Sequence, residues 1–191
     1  MDKRYELINY YITTRKFKSF LEIGTDKGEA FNAINVDKKV SVDPNRSTNA
    51  THYMTSDEYF AQTDDKFDII FIDGLHEYSQ VDRDIKNALK HLNDHGVIIM
   101  HDCHPNSEAC QRHCSHYPGG EWTGDCWKAY VKNRAELQYE MFVWDHDWGC
   151  GVIDTDVIKQ TDTSDLPIDM SKMTYADFVA HPEWMNFKDT I

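Results

Sequence analysis

The chain has 191 residues, 20 of them Lys or Arg and 33 Asp or Glu, for a formal charge of −13 with histidine neutral. A field of that sign repels phosphates and argues against nucleic-acid or anionic-membrane partners, and the length suits one domain, residues 1–191, with a core that needs no staples. No window reaches the ~18 apolar residues of a membrane span, Met1–Glu6 lacks a signal peptide's apolar region, and five cysteines make no disulfide framework, so a cytoplasmic protein is expected.

Residues 1–17 are expected to form an N-terminal helix. Lys18–Gly24 (KSFLEIG), Lys39–Asp43 (KVSVD), Phe67–Asp73 (FDIIFID) and Gly96–Met100 (GVIIM) are short apolar runs. They read as parallel strands buried on both faces, as in a sheet covered by helices. Glu29–Asn35 and Ser56–Gln62 read as short helices, with Ser56 as N-cap. Tyr78, Val81, Ile85, Ala88, Leu89 and Leu92 recur at helical spacing, and Gly96 reads as the stop after a polar turn. The alternation predicts a doubly wound, mostly parallel α/β sheet with right-handed crossovers.

Beyond Asp102 the pattern changes. Residues 103–125 are polar, rich in Cys, His, Pro and Gly, and too long for an ordinary connection, so they read as a lid-like loop. Trp127–Arg134 reads as a helix. Tyr139–Trp144 and Gly149–Ile153 read as a hairpin-like pair at the sheet edge. The C-terminal extension, residues 155–191, carries one helical patch at Tyr175–Val179 and is expected to pack outside.

Ligands of open α/β sheets sit beyond the carboxyl ends of the strands. Here those ends are Glu22-Ile23-Gly24, Asp43, Asp73-Gly74 and His101-Asp102, each with an acid. The turn Gly24-Thr25-Asp26-Lys27-Gly28 departs from the dinucleotide pattern G-x-G-x-x-G, because Asp26 and Glu29 replace its second and third glycines. Asp43 suits a ribose diol, so a nucleoside without phosphates fits better than NAD. An ordinary strand–turn–helix corner with a capping Asp explains the same residues.

Asp73 and Asp102 end neighbouring strands, about 4.8 Å apart in a sheet, and two carboxylates that close share a proton or bind a cation. His76, His101 and His104 are near in sequence. His76 is the candidate base, since imidazole titrates near neutrality; a cap on the following helix or a bond to Asp102 is the bland alternative. Cys103, His104, Cys110, His113, Cys114, His116 and Cys126 match no paired C-x-x-C knuckle, and reduced cysteines in a lid are the preferred reading. Trp122, Trp127, Trp144 and Trp148 suit either an acceptor pocket or the core.

LEIGTDKGEA, VSVDP, DIIFIDGLHEY, GVIIMHDC, GDCWKAYV and VWDHDWGCGVI, running from Lys18 to Ile153, together resemble the class I S-adenosylmethionine-dependent methyltransferases. The nearest group is the short bacterial and phage members related to sugar and macrolide O-methyltransferases. The resemblance implies a seven-stranded Rossmann-like sheet with one antiparallel strand near its edge. It also implies a cofactor loop at Glu22, Gly24 and Gly28, a ribose acid at Asp43, and adenine contacts near Ser56 and Asp57. Metal-dependent relatives hold a divalent cation at the place of Asp73 and Asp102. Here Cys103 stands where magnesium enzymes offer another oxygen ligand, so a metal set would be completed by a histidine, His101, and manganese, iron or zinc would then compete with magnesium. A metal-free acidic pocket is the alternative. His76 and Asp73 are the expected catalytic residues, with magnesium or manganese the expected ion.

The implied activity is O-methylation of a hydroxyl on a small acceptor such as a sugar, with no nucleic-acid or membrane partner and with a homo-oligomer left open. A nicotinamide-dependent oxidoreductase and a non-catalytic nucleoside-binding module are the alternatives. The missing third glycine counts against the first and the acid- and histidine-rich crevice against the second.

Overall fold

The computed structural model describes residues 1–116 and 119–191. Its strands are β1 (Ser19–Ile23), β2 (Lys38–Val42), β3 (Phe67–Ile72), β4 (Leu92–Met100), β5 (Tyr139–Trp144), β6 (Cys150–Ile158) and β7 (Phe187–Lys188). Its α-helices are α1 (Arg4–Arg15), α2 (Glu29–Ala33), α3 (Ser56–Gln62), α4 (Tyr78–Lys90), α5 (Cys126–Glu136) and α6 (Tyr175–Ala180).

The strands form one sheet in the order β2-β1-β3-β4-β6-β5-β7. β2, β1, β3 and β4 pair in parallel, β6 pairs antiparallel with both β4 and β5, and β7 pairs in parallel with β5. The doubly wound, mostly parallel α/β sheet expected from the sequence is therefore present, with β6 running against the rest.

Period-two alternation divides the core between the two faces. Phe20, Ile69, Phe71, Val97 and Ile99 point to the side covered by Leu7, Ile8 and Tyr11 of α1 and Ala30 of α2. Leu21, Ile70, Ile72, Ile98 and Met100 point to the side covered by α3, α4, α5 and α6, through Tyr59, Ile85, Tyr130 and Phe178. Both faces are dry, which is why the strands read as continuous apolar runs.

Four local expectations are corrected. Thr55, not Ser56, caps α3: its hydroxyl accepts from Glu58 N, and Glu58 Oε2 accepts from Thr55 N, a reciprocal box that satisfies two donors. Gly96 does not end a helix but lies inside β4, because α4 stops at Lys90 and the chain enters the strand directly at Leu92. The β5–β6 pair is not at the sheet edge, since β7 from the C-terminal extension pairs outside β5. That extension therefore joins the sheet as well as packing on it. The segment between β2 and α3 is tied to the sheet by a single bridge, Val42 to His52, where the order strand–helix–strand–short strand–helix was expected.

Candidate active site

A cavity of about 800 Å³ opens beyond the carboxyl ends of β1, β2, β3 and β4. One half is built by the glycine loop. Gly24 has φ +85°, and a Cβ there would lie 2.0 Å from the carbonyl oxygen of Asp73, so only glycine permits this close approach of two strand ends. Asp43 fastens the loop: its Oδ2 accepts from Thr25 N and Asp26 N at 3.0 Å each, and its Oδ1 accepts from Asn45 N at 2.8 Å. Gly28 does not line the cavity; at φ +72° it is the N-cap position that turns the loop into α2.

Glu22, buried on β1, presents Oε2 to the cavity without a hydrogen-bond partner. Burial, reinforced by the nearby Asp73, pushes its pKa up to about 8. Across the cavity Ser56 and Asp57 form the opposite wall with Gln80, whose Nε2 donates to Ser56 Oγ at 3.2 Å and to Asp84 Oδ1 at 3.0 Å.

The other half is a cluster of acids and histidines. His76 stands between the two strand-end carboxylates, with Nε2 3.2 Å from Asp73 Oδ1 and Nδ1 3.0 Å from Asp102 Oδ2. Those three side chains offer ligand atoms all within 4.8 Å of one another. His101 supports the same pair from below: its Nδ1 lies 3.3 Å from Asp73 Oδ1 and from Asp102 Oδ1. Its Nε2 has no hydrogen-bond partner and lies 3.9 Å from Asp147 Oδ1.

Burial works against charge on His76, but its hydrogen bonds to Asp102 and Asp73 outweigh that and raise its pKa to about 10. Burial likewise opposes ionisation of Asp73 and Asp102, yet His101 and His76 hold both carboxyls below the usual range.

Two members of this half, Arg4 and Asp147, are not among the site residues expected from the sequence. Arg4, on the first turn of α1, places Nε 3.7 Å from Asp73 Oδ2 and Nη1 3.2 Å from Asp147 Oδ2, and its backbone N–H donates to Asp147 at 2.8 Å. Asp147 was legible only as part of the turn after Tyr139–Trp144. The usable signal was direction: β5 runs parallel to β4, so its carboxyl end and the following turn face the same crevice. Asp26, Asp102, Asp147 and Trp148 all have positive φ, between 41° and 65°, and all four lie at this site. Such backbone costs about 1–3 kcal/mol per residue and collects where function over-determines geometry.

Of the expected lid, residues 103–125, Trp122 reaches the cavity rim, and positions 117 and 118 lie outside the described residues. Trp122 stacks on the His76 ring, centroids 4.9 Å apart at 24°, and donates from Nε1 to Arg112 O at 2.7 Å. Asp125 Oδ1 accepts from Tyr78 N and so caps α4. Trp122 and Trp148 line the cavity, while Trp127 and Trp144 are core. Cys103 does not face the aspartates; its buried Sγ lies 3.8 Å from the carbonyl oxygens of Met100 and His101.

Residues 21–103 match the family model of a methyltransferase domain. No curated protein matches the chain. Among solved structures, an O-methyltransferase from Streptomyces achromogenes (TomG, involved in tomaymycin synthesis and solved with S-adenosylmethionine) aligns with a TM-score of 0.58 and 14% identity, over 80% of this chain and 79% of that one. An O-methyltransferase from Bacillus cereus, in complex with S-adenosylhomocysteine, gives 0.56 at 14% identity, covering 79% and 80%. A methyltransferase from Podospora anserina, bound to S-adenosylhomocysteine, gives 0.54 at 17% identity, covering 84% and 80%. The architecture of this chain is the fold of these methyltransferase structures, and residues 21–103 carry the match to the methyltransferase domain.

Proposed function

We propose that this chain transfers a methyl group from S-adenosylmethionine to a hydroxyl of a small acceptor such as a sugar, with a divalent cation held by Asp73, His76 and Asp102. The observation that carries the reading is the convergence of those three donors at the floor of the cavity that the glycine loop opens into.

The cavity suits the cofactor in size, since small-molecule sites typically span about 300–1,000 Å³. Glu22 Oε2, buried and unpaired, suits an ammonium group, and Asp43 suits a ribose diol with the lone pairs its three backbone bonds leave free. Ser56, Asp57 and Gln80 are the polar groups available to an adenine edge. The cofactor supplies a methyl group on a sulfonium centre, and the cation lowers the pKa of an acceptor hydroxyl and fixes its oxygen.

Within the chain the roles divide. Asp73 and Asp102 offer hard oxygen ligands and His76 an imidazole nitrogen, a mixed set that manganese satisfies better than magnesium. His101 and Arg4 hold the two carboxylates in place from behind. Trp122 and Trp148 wall the cavity against water.

A cation-free reading leaves His76 as the base, and a specific observation weighs against it. Between two carboxylates the imidazole stays protonated to about pH 10, so little of it is free to accept a proton at neutrality. Activity with EDTA and across pH separates the two. The proposal expects loss of turnover in EDTA, restored by manganese; full EDTA-resistant activity that climbs through pH 8–10 and vanishes in His76→Ala would replace it with the base reading.

A further inference from the structure

Apart from Trp122, the proposed reaction makes no use of the cysteine- and histidine-rich stretch 103–125, and the spacing within it forms no paired knuckle. The fold supplies a donor from outside. Glu77, next to His76 and at the N-cap position of α4, reaches across to the stretch. Glu77 Oε1 lies 3.0 Å from His113 Nε2 and accepts from Cys114 N at 3.2 Å, and Cys114 Sγ lies 3.9 Å from His113 Nδ1.

The ligand atoms of Glu77, His113 and Cys114 lie within 4.8 Å of one another. Around a tetrahedral zinc, with Zn–N of ~2.0 Å and Zn–S of ~2.3 Å, ligand atoms stand roughly 3.3–3.8 Å apart, so small side-chain rotations close the triad on an ion. His116 ends the 3-10 turn that Cys114 opens; its ring stands 6.3 Å from that of His113, so its side chain must swing toward the triad to serve as a fourth donor. Chemistry narrows the ion: a thiolate with an imidazole and one carboxylate selects zinc over magnesium or calcium. Cys114 is the exposed member of the five cysteines, whereas Cys103, Cys110, Cys126 and Cys150 are buried.

We propose that Glu77, His113 and Cys114, completed by His116, bind a structural zinc ion that clamps the 103–125 stretch to the start of α4. The clamp sits one residue from the reaction cluster and steadies its wall. Arg112, beside His113, accepts from Trp122 Nε1, and Trp122 stacks on His76. The zinc site shares no ligand with Asp73, His76 and Asp102, so the two stand or fall separately.

The test is metal content and the cobalt spectrum of the full chain. After extensive dialysis the protein should retain one zinc, and its cobalt-exchanged form should show near-ultraviolet thiolate-to-cobalt charge transfer. Cys114→Ser should abolish that band, and both Cys114→Ser and His113→Ala should weaken zinc binding at least about tenfold, with circular dichroism unchanged because both side chains are exposed. Asp102→Asn should keep zinc and band alike. Absence of retained zinc, absence of the band, or its persistence in Cys114→Ser would overturn the proposal. Zinc lost in Asp102→Asn but kept in Cys114→Ser would also overturn it, by placing the ion in the reaction cluster.

Discussion

The two halves of the cavity are built differently. The half proposed to hold the cofactor is local: Glu22, Gly24 and Asp43 come from consecutive strands or their ends, and Asp43 bonds to backbone 17 and 18 residues away. The half proposed to carry the reaction is assembled from distant chain: Arg4 meets Asp147 across 143 residues, and His76 meets the carbonyl of Trp122 across 46. The first half holds itself through backbone hydrogen bonds to a single carboxylate. The second holds itself by charge, with Arg4, His76 and His101 set against Asp73, Asp102 and Asp147. A loop fastened by its own neighbours can be tuned one residue at a time, whereas a charge cluster answers as a unit.

The sharpest way to break that division is to neutralise one strand-end acid. Asp73→Asn or Asp102→Asn should lower turnover by about 10²–10⁴-fold, the range of a lost proton-transfer or Lewis-acid group, while S-adenosylhomocysteine affinity stays within about threefold. Each change also leaves buried histidine charge under-compensated, so a stability loss of about 3 kcal/mol is expected by chemical denaturation. Cofactor affinity falling in step with turnover would show that the halves are one.

Gly24→Ala is the complementary break. Its methyl would meet the carbonyl of Asp73 at φ +85°, so the loop must move away from β3. S-adenosylhomocysteine binding should fall at least about 100-fold, with strain of about 1–3 kcal/mol appearing in the melting transition. Asp43→Ala should cost about 2–4 kcal/mol of cofactor affinity through lost charge-assisted hydrogen bonds. Part of that loss belongs to the loop, because the carboxylate already accepts three backbone N–H groups. Faster proteolysis of the loop in the unliganded variant would measure that part.

A smaller effect sharpens the reaction half alone. With its pKa raised to about 10, His76 gives the metal-free fold stability that is full below the unfolded value of about 6.5 and fades as pH rises toward 10. A cation must displace that proton, so manganese affinity should rise with pH by at most about tenfold per unit and level off above pH 10. Calorimetry in buffers of different ionisation enthalpy reads the released proton directly. No proton release at pH 7.5 would mean that His76 is not a ligand.

The same contrast explains how much was legible in the sequence. Four buried strands and the helix at Tyr78 were readable because burial on both faces and a 3.6-residue period leave local patterns. The acids at the strand ends were readable because topology fixes where those ends go. Arg4 was not, since a basic residue on the first turn of a helix looks like any solvated charge until α1 packs beside β3 and β5. The cap of α3 lies at Thr55 and not Ser56 because Thr55-Ser56-Asp57-Glu58 spells a capping box, in which the reciprocal Glu58 selects the position three residues before it. Phe187–Lys188 was invisible as a strand because two residues carry no periodicity, and only the open edge of β5 recruits them. Glu77 leaves no local signal for the same reason as Arg4: its partners, His113 and Cys114, lie 36 or more residues away on a segment without regular pattern.

The most direct test is a crossed set of calorimetric titrations. S-adenosylhomocysteine, manganese and NAD are each titrated into the native chain, Asp43→Ala and Asp102→Asn, all with the zinc content fixed. The native chain is expected to bind S-adenosylhomocysteine and manganese but not NAD. Asp43→Ala should lose only the nucleoside and Asp102→Asn only the metal. Preferential NAD binding, or manganese binding that survives in Asp102→Asn, would contradict the proposed function.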